Sequence, residues 1–371
     1  MLKKYHWREQ SAVIGALLIL ALPLATAQTN HHGASQILSH QELKSQGILR
    51  ANIDFKPDNT LPGISLSPIM EYPIKCSENG TAFLDMFVPP DFRQQKIYAV
   101  SSSQVHQFNP QSITDLQNIF VRSYFPLDSG LLLLVNAALN NSPSTKNTEK
   151  HDYIAKFSED GSYSGLVKLD PAMAISQIAA FPSGNFLAFG IREFDKTIQL
   201  ALLTSDGSIL RYLELPPKVN SWAKNQMSSI PGLTSSGAGM LPSAQMFPIQ
   251  GNILLVPSQS DGLVLEISEG GAIRPVTLQL PTGNVILAFV PSADHWYVRT
   301  SSSLQKPNVS TDTDKTKMAL YEVNQQDGKI IREIEPKNAT YEEIGCATGQ
   351  EFSAFHRDDK GKMVGLRATL Q

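Results

Sequence analysis

The chain repeats one pattern of short apolar runs and tight turns along most of its length. Each unit reads as strand, tight turn, strand, variable loop, strand, second tight turn, strand. Asp, Ser, Gly and Asn reach turn geometry at low energetic cost, so their placement between apolar, β-rich runs predicts hairpins. The first turn occurs six times, at residues 76–80, 125–130, 181–185, 247–252, 289–294 and 346–349. The repeat therefore predicts an all-β chain of six similar units.

The second tight turn recurs at residues 159–162, 205–208, 269–272 and 326–329. Three of these turns contain Asp-Gly, which is among the stronger short-range hairpin signals when apolar residues alternate on both sides. Successive first turns lie between 42 and 67 residues apart. The shortest spacing matches the roughly 40 to 50 residues of a four-stranded propeller blade. Two stacked β-sandwiches, which also use many short strands, are the alternative architecture.

The chain ends supply a separate argument for a ring. The sixth unit stops at Gln371 before it has an outermost strand, while residues 48–55 are strand-like and belong to no unit. A ring of blades closes when one terminus completes the blade begun by the other. We therefore predict a six-bladed β-propeller over residues 47–371, in which strand 48–55 completes the last blade.

Residues 1–27 have the features of a secretory signal peptide. Basic residues precede the apolar stretch 12–24, and a small-x-small cleavage site follows at 25–27. The apolar stretch is shorter than the roughly 20 residues that span a bilayer and is interrupted by Pro23, which favours a signal over an anchor. Residues 28–46 then form an N-terminal tail. We expect a periplasmic or extracellular protein with no integral membrane segment after signal removal.

Composition narrows the class of partner. The 371 residues include 31 Lys and Arg against 34 Asp and Glu, a formal net charge of -3. This balance argues against electrostatic nucleic-acid binding and against attraction to anionic membranes. The expected partner is an unknown protein or small-molecule ligand, and no cofactor is assigned.

By its turn spacing the chain resembles the six-bladed β-propellers of exported bacterial proteins, NHL and TolB-like in a broad sense. The resemblance covers residues 47–371 and implies a binding or interaction module. Calcium-dependent lactonases and esterases of this architecture carry carboxylates and amides in the central funnel. Counterparts by position alone are Glu71, Gln177, Gln245 and Glu343. A hydrolase is therefore the alternative function, and no catalytic residue is assigned.

The longer connections all fall on one side of the predicted ring. They are residues 136–152, 218–243 and 300–317. In a blade, the loop after the second strand and the link to the next blade share this side, here named the long-loop face. The tight turns share the opposite side, the tight-turn face. Long surface segments often carry binding, so we predict the functional site on the long-loop face.

The candidate ligand-binding residues are polar or aromatic and lie at predicted strand ends or in the longest insertion. They are Glu71, Arg122, Gln177, Arg192, Trp222, Gln245, Arg299, Glu343, His356 and Arg357. Arginine forks among them could hold a polar or anionic ligand. The alternative is that they are solvated loop-end charges. Trp222 is either a ligand platform or an anchor that pins its loop to the body.

Motifs for metal binding and hydrolysis do not occur in the sequence. It contains no His-x-x-x-His or Cys-x-x-Cys spacing and no Gly-x-Ser-x-Gly elbow, so no metal site is predicted. Cys76 and Cys346 occupy corresponding positions in the first and last units. An oxidising compartment permits a disulfide there that would lock the ring; two buried thiols are the alternative.

Overall fold

The computed structural model describes residues 47–58, 69–88, 91–101, 104–140, 149–228, 244–257, 262–281, 284–302, 318–337, 343–358 and 363–370. The predicted signal peptide (residues 1–27) and the N-terminal tail (residues 28–46) lie outside these residues. Within them, six small sheets form a ring, which confirms the predicted six-bladed β-propeller.

Blades 1 to 4 each contain four consecutive antiparallel strands. Blade 1 comprises β3 (Ile69–Cys76), β4 (Ala82–Val88), β5 (Asp91–Val100) and β6 (Val105–Phe108); blade 2 comprises β7 (Leu116–Leu127), β8 (Gly130–Leu139), β9 (His151–Ser158) and β10 (Tyr163–Lys168); blade 3 comprises β11 (Met173–Ala180), β12 (Phe186–Arg192), β13 (Thr197–Leu203) and β14 (Ile209–Leu213); blade 4 comprises β15 (Ala244–Ile249), β16 (Asn252–Pro257), β17 (Leu263–Ile267) and β18 (Ile273–Thr277).

Blades 5 and 6 each take one further strand from the N-terminal segment. Blade 5 comprises β19 (Asn284–Pro291), β20 (Trp296–Ser302), β21 (Met318–Val323) and β22 (Ile330–Pro336), with β1 (Leu49–Ile53) as a fifth strand; blade 6 comprises β23 (Glu343–Thr348), β24 (Glu351–Arg357) and β25 (Met363–Thr369), with β2 (Lys56–Pro57) as its fourth.

An N-terminal strand completes the last blade, but the predicted segment 48–55 is not that strand. Its core, β1, pairs in parallel with β22 of blade 5, and the two-residue β2 just downstream pairs with β25. Ala51 and Ile53 alternate with exposed neighbours and are buried in the apolar cluster that blades 5 and 6 share. Arg50 forms ion pairs with Glu333 and Glu335 of β22. The sequence showed which blade lacked a strand, but not that blade 5 could accept an extra one.

The second strands of blades 2 and 3 are apolar because the blades stack face to face. In β8, all five residues from Leu131 to Val135 are buried, and β12 is buried along nearly its whole length. Outer strands such as β10 and β18 are only partly buried. A strand covered on both faces has no solvent side, so its sequence shows a continuous apolar run instead of alternation.

Aromatic side chains fill the seams between blades. Phe83, Phe108 and Phe157 belong to one apolar cluster between blades 1 and 2. Between blades 4 and 5, Phe247 and Phe289 lie with ring centroids 5.6 Å apart. Between blades 5 and 6, the rings of Tyr297 and Phe352 meet edge to face at 4.6 Å. Such pairs add to the stabilisation that burial of apolar area already gives each seam.

The second tight turns also touch the neighbouring blade. Gly161 and Gly207 adopt φ values of 85° and 89°, and each lies against the outer strand of the preceding blade. A Cβ on Gly207 would overlap the carbonyl oxygen of Lys168, and one on Gly161 would overlap that of Gln107. These glycines therefore permit both the turn and the close approach of successive blades.

The segment after β14 contains a helix where the sequence predicts a loop. This helix, α1 (Pro217–Ser228), begins with a proline at its first position, where the missing N–H costs no hydrogen bond. Val219 and Trp222, three residues apart, are both buried. A short 3-10 turn spans Pro110–Ser112. No helix in the described part of the chain is long and apolar enough to cross a membrane.

A disulfide between Cys76 and Cys346 joins the innermost strands of blades 1 and 6. The two Cα atoms are 5.7 Å apart, and 270 residues separate the cysteines along the chain. The bond therefore fastens the first blade to the last and encloses nearly the entire ring.

Replacing Gly207 with Ala is expected to lower the free energy of unfolding by about 3 kcal/mol, because a methyl group would overlap the Lys168 carbonyl and the left-handed backbone would be strained. Gly349→Ala is the matched control, since Gly349 also has a positive φ but has no atom within 4 Å of the place that a Cβ would occupy. It should cost about 1 kcal/mol. Urea unfolding measures both variants, and equal losses would show that contact with the preceding blade is unimportant.

Removing the disulfide is expected to lower the free energy of unfolding by about 4 kcal/mol, because the bond restricts a very long loop in the unfolded chain. Unfolding should be compared with and without reductant, using a Cys76→Ala, Cys346→Ala double variant as the reductant-insensitive control. Alkylation of the unfolded, unreduced protein should leave both sulfurs unmodified. Two alkylated thiols would contradict the disulfide.

Candidate functional site

The inner edges of the six blades surround the axis of the ring. Sheet-to-sheet contacts run through β3, β7, β11, β15, β19 and β23, so these are the inner strands. Two pairs also approach each other across the axis, β7 with β15 and β3 with β19. Residues far apart in sequence therefore come together at this narrow centre.

The pairing of five inner strands with their second strands contains a register shift, either a β-bulge or another irregularity. The register shifts lie between Glu71 and Lys75, Val121 and Ser123, Ile175 and Gln177, Ile286 and Ala288, and Ile344 and Cys346. Only β15 pairs with its second strand without an interruption in the described residues. A bulge turns a side chain away from its regular direction, and bulges are over-represented beside functional sites.

Three polar atoms on neighbouring inner strands are buried without a hydrogen-bond partner among the residues that the structure describes. They are Ser123 Oγ on β7, Gln177 Oε1 on β11 and Gln245 Oε1 on β15. We name these three residues the inner-strand cluster. A buried acceptor without a donor costs about 1–3 kcal/mol, so such a group calls for a water, an ion or a ligand. All three atoms can accept, which suits a cation or a hydrogen-bond donor.

Arg122 connects blades 2 and 3. Its Nη1 donates to Asp152 Oδ2 at 2.8 Å and to the carbonyl oxygen of Ile175 at 2.9 Å. Asn136 Nδ2 donates to the other Asp152 oxygen at 2.7 Å. The Arg122 side chain is largely buried, at 22% exposure. This guanidinium therefore holds together β7 and β11, two of the three strands that carry the inner-strand cluster.

Lys75 is a buried cation that the sequence analysis missed. It lies on β3 at 7% exposure. Its Nζ donates to the carbonyl oxygen of Tyr124 on β7 at 2.6 Å and lies 4.5 Å from the centre of the Tyr124 ring. The contact links blades 1 and 2 much as Arg122 links blades 2 and 3. The signal available in the sequence was a lysine directly between the apolar residues Ile74 and Cys76.

Arg192, Arg299 and Trp222 occupy different environments. Arg192 ends β12, where it pairs with Asp195 and lies 5.3 Å from the Tyr212 ring. The hydrogen bond from Arg192 holds the pKa of the Asp195 carboxyl well below its usual range. Arg299 does not lie at a strand end, because β20 continues to Ser302. Its side chain is buried. Trp222 is buried and stacks on Phe189 at 6.2 Å, so it anchors α1 to blade 3.

The remaining candidates lie in strands whose side chains are only partly described. Glu71 lies in β3 and Glu343 begins β23, on inner strands of adjacent blades. Their side chains, and that of Arg357, lie outside the described part. His356 is half-buried near the end of β24. The described residues contain no group of three His, Cys, Asp or Glu side chains that could hold a metal ion.

Exposed aromatic residues mark the long-loop side of blades 2 and 3. Phe194, between β12 and β13, is 95% exposed, and Phe120 in β7 is 62% exposed. Ion pairs Arg192–Asp195 and Glu193–Lys196 flank Phe194. Neither residue is among the sequence-based candidates, because a phenylalanine in or beside a β-strand is expected in the core. Both aromatic rings are therefore accessible to a partner on this side, and aromatic residues are enriched at binding hot spots.

Cavities in the described part also occur on the tight-turn face. One of about 110 Å³ lies near the axis and is lined by residues that include Glu78, Gln250 and Ser292. A larger one of about 230 Å³ lies between blades 6 and 1. The tight-turn face therefore also has space for ligands, although the sequence predicts binding on the long-loop face.

No protein-family model and no curated protein matches the chain. The solved structures to which it is similar include streptogramin B lyase (13% identity, 86% of this chain and 98% of that chain, TM-score 0.38), a protein of unknown function from Bacteroides caccae (13%, 78% and 96%, 0.38), and Trypanosoma rangeli sialidase (12%, 85% and 58%, 0.37). At these identities and TM-scores, no activity named there transfers to this chain. The NHL or TolB-like type stays a prediction.

Proposed function

We propose that the protein is an exported binding or interaction module that takes its ligand on the long-loop face. The signal-like residues 1–27 support export to the periplasm or the exterior. The disulfide between Cys76 and Cys346 agrees with an oxidising compartment. A protein or small molecule is the proposed ligand class, and nucleic acid is not proposed because the net charge is slightly negative.

The exposure of Phe194 is the observation that carries this proposal. The Phe194 side chain is 95% exposed, so its apolar surface is in contact with water. A partner that covers the ring would remove this surface from water, which is favourable. The ion pairs on both sides of it restrain the short turn that presents the ring. Aromatic residues are enriched at binding hot spots, where they bury a large area with few rotatable bonds. Phe120 on the adjacent blade is a second exposed aromatic residue on the long-loop side.

A calcium-dependent hydrolase is the second candidate function. The inner-strand cluster favours it, because side-chain amide oxygens are among the ligands that Ca²⁺ accepts. Gln177 and Gln245 would supply buried amide oxygens, and Glu71 and Glu343 stand on two further inner strands. Calcium bound there would supply Lewis acidity, while Arg122 would hold β7 and β11 in place. No residue is assigned a catalytic role.

Replacing Phe120 and Phe194 together with Ser is expected to abolish ligand capture without unfolding the ring, since both side chains are largely exposed. The immobilised protein would be incubated with the periplasmic fraction and the culture medium of the organism that produces it. The bound components would be quantified by mass spectrometry. Leu210→Ser is the matched control, because Leu210 is 60% exposed on outer strand β14. Full capture by the double variant would overturn the choice of face.

Gln245→Met tests the calcium alternative. Without ligand, the variant should gain about 1 kcal/mol of stability, because it removes a buried acceptor that lacks a donor. If the alternative holds, Ca²⁺ raises the melting temperature of the parent protein but not that of the variant. Gln199→Met is the control, because the Gln199 Nε2 of the parent protein already has a partner, Thr197 Oγ1. A parent protein that does not respond to Ca²⁺ would exclude the calcium site and leave the binding-module proposal standing.

A further inference from the structure

The larger cavity on the tight-turn face lies at the junction of the first and last blades. It measures about 230 Å³, and we name it the seam cleft. Blade 1 contributes Asn79, Thr81 and Ser101; blade 6 contributes Thr348, Glu351 and Arg367. Cys346 also lines it, so the cleft lies beside the disulfide. It is on the opposite face from the site proposed above, and the inference does not rest on that function.

Two opposite charges stand on the same face of blade 6. In the β24–β25 ladder, Glu351 is opposite Thr369 and Ser353 is opposite Arg367. Positions two residues apart on a strand share a face, so Glu351 and Arg367 project to the same side, both towards blade 1. No ion pair joins them among the described residues. The cleft thus offers a separate anionic and a separate cationic group.

The Arg367 guanidinium is held from behind. Its Nε lies 2.8 Å from Asp58 Oδ2, and the Asp58 side chain is only 10% exposed. This ion pair engages Nε, and no hydrogen bond or ion pair joins Nη1 or Nη2 to another residue of the described ranges. The terminal nitrogens of a guanidinium are suited to bidentate binding of a carboxylate.

The Glu351 carboxylate is available for an ammonium group. Glu351 is the first residue of β24, is exposed, and forms no side-chain hydrogen bond or ion pair with any described residue. Thr348, across the turn, likewise keeps its hydroxyl free of described partners. A charge-assisted hydrogen bond from a ligand ammonium would therefore displace no protein partner.

Asn79 is oriented by its own turn. Its Oδ1 accepts from Ser77 Oγ at 2.6 Å, from Thr81 N at 3.0 Å and from Thr81 Oγ1 at 2.8 Å. The oxygen is therefore saturated, and the Nδ2 amide group remains a donor without a partner in the part of the chain described. It supplements Arg367 as a second donor on the blade 1 side.

We propose that the seam cleft binds a small zwitterion of the α-amino acid class. Arg367 and Asn79 donate to the ligand carboxylate, and Glu351 and Thr348 accept from its ammonium group. The volume lies below the roughly 300 Å³ at which drug-sized ligand pockets begin, which matches one amino acid instead of a peptide. Two separate opposite charges favour this ligand over a neutral sugar, whose hydroxyls match neither charge.

Isothermal titration of the full disulfide-bonded chain tests the proposal. The probes are the free α-amino acids. The comparison compounds are N-acetyl-L-alanine, which lacks the ammonium group, L-alaninamide, which lacks the carboxylate, and glucose, which is a neutral polyol. At least one free amino acid should bind saturably. Its N-acetylated and amidated derivatives should each bind at least tenfold more weakly, and glucose should not bind.

Glu351→Gln is the diagnostic variant, because Glu351 is exposed and no described side chain depends on it. It should weaken amino-acid binding at least tenfold. Glu214→Gln removes the same charge from an exposed position after β14 and should bind like the parent protein. The proposal is overturned if no free amino acid binds, if glucose alone binds, or if the two variants bind the amino acid equally.

Discussion

Face-to-face packing of six twisted sheets is the constraint on which the rest of this structure depends. The second strands of blades 2 and 3 are apolar on both sides because neighbouring blades cover both sides, as the fully buried run 131–135 in β8 shows. The same closeness leaves no space for a side chain at turn residues such as Gly207, whose backbone lies against the carbonyl of Lys168. Aromatic contacts then fill the seams, as between Tyr297 and Phe352. Turn, strand and seam are thus consequences of one packing arrangement.

A ring has one junction that chain continuity does not hold, and here that junction is reinforced three times. The two-residue β2 completes blade 6, the adjacent β1 extends blade 5, and a disulfide links the inner strands β3 and β23. Two ladder pairs alone would be a weak closure, since a short strand forms few hydrogen bonds. Attachment of the same N-terminal segment to two successive blades strengthens the closure, and the Arg367–Asp58 ion pair adds to it.

The two faces of the ring offer different chemistry. The long-loop face presents exposed aromatic side chains, and buried amide oxygens lie on the inner strands. The tight-turn face presents a polar cleft at the junction of the ring, with opposite charges held apart. Buried cations serve the scaffold between them: Lys75 joins blades 1 and 2, and Arg122 joins blades 2 and 3. The inner strands therefore both maintain the ring and shape its centre.

The six units, their turns and the side that carries the longer connections can be predicted from the sequence, because turn residues and apolar periodicity are local signals. The same signals place Gln177 and Gln245 on inner strands. Three-dimensional packing was needed to show that β1 joins blade 5, that Arg122 binds Asp152 and Ile175, and that Trp222 is an anchor. The seam cleft likewise brings Asn79 beside Arg367, residues from opposite ends of the chain. Such partners are chosen by contacts between blades, and no short stretch of sequence records that choice.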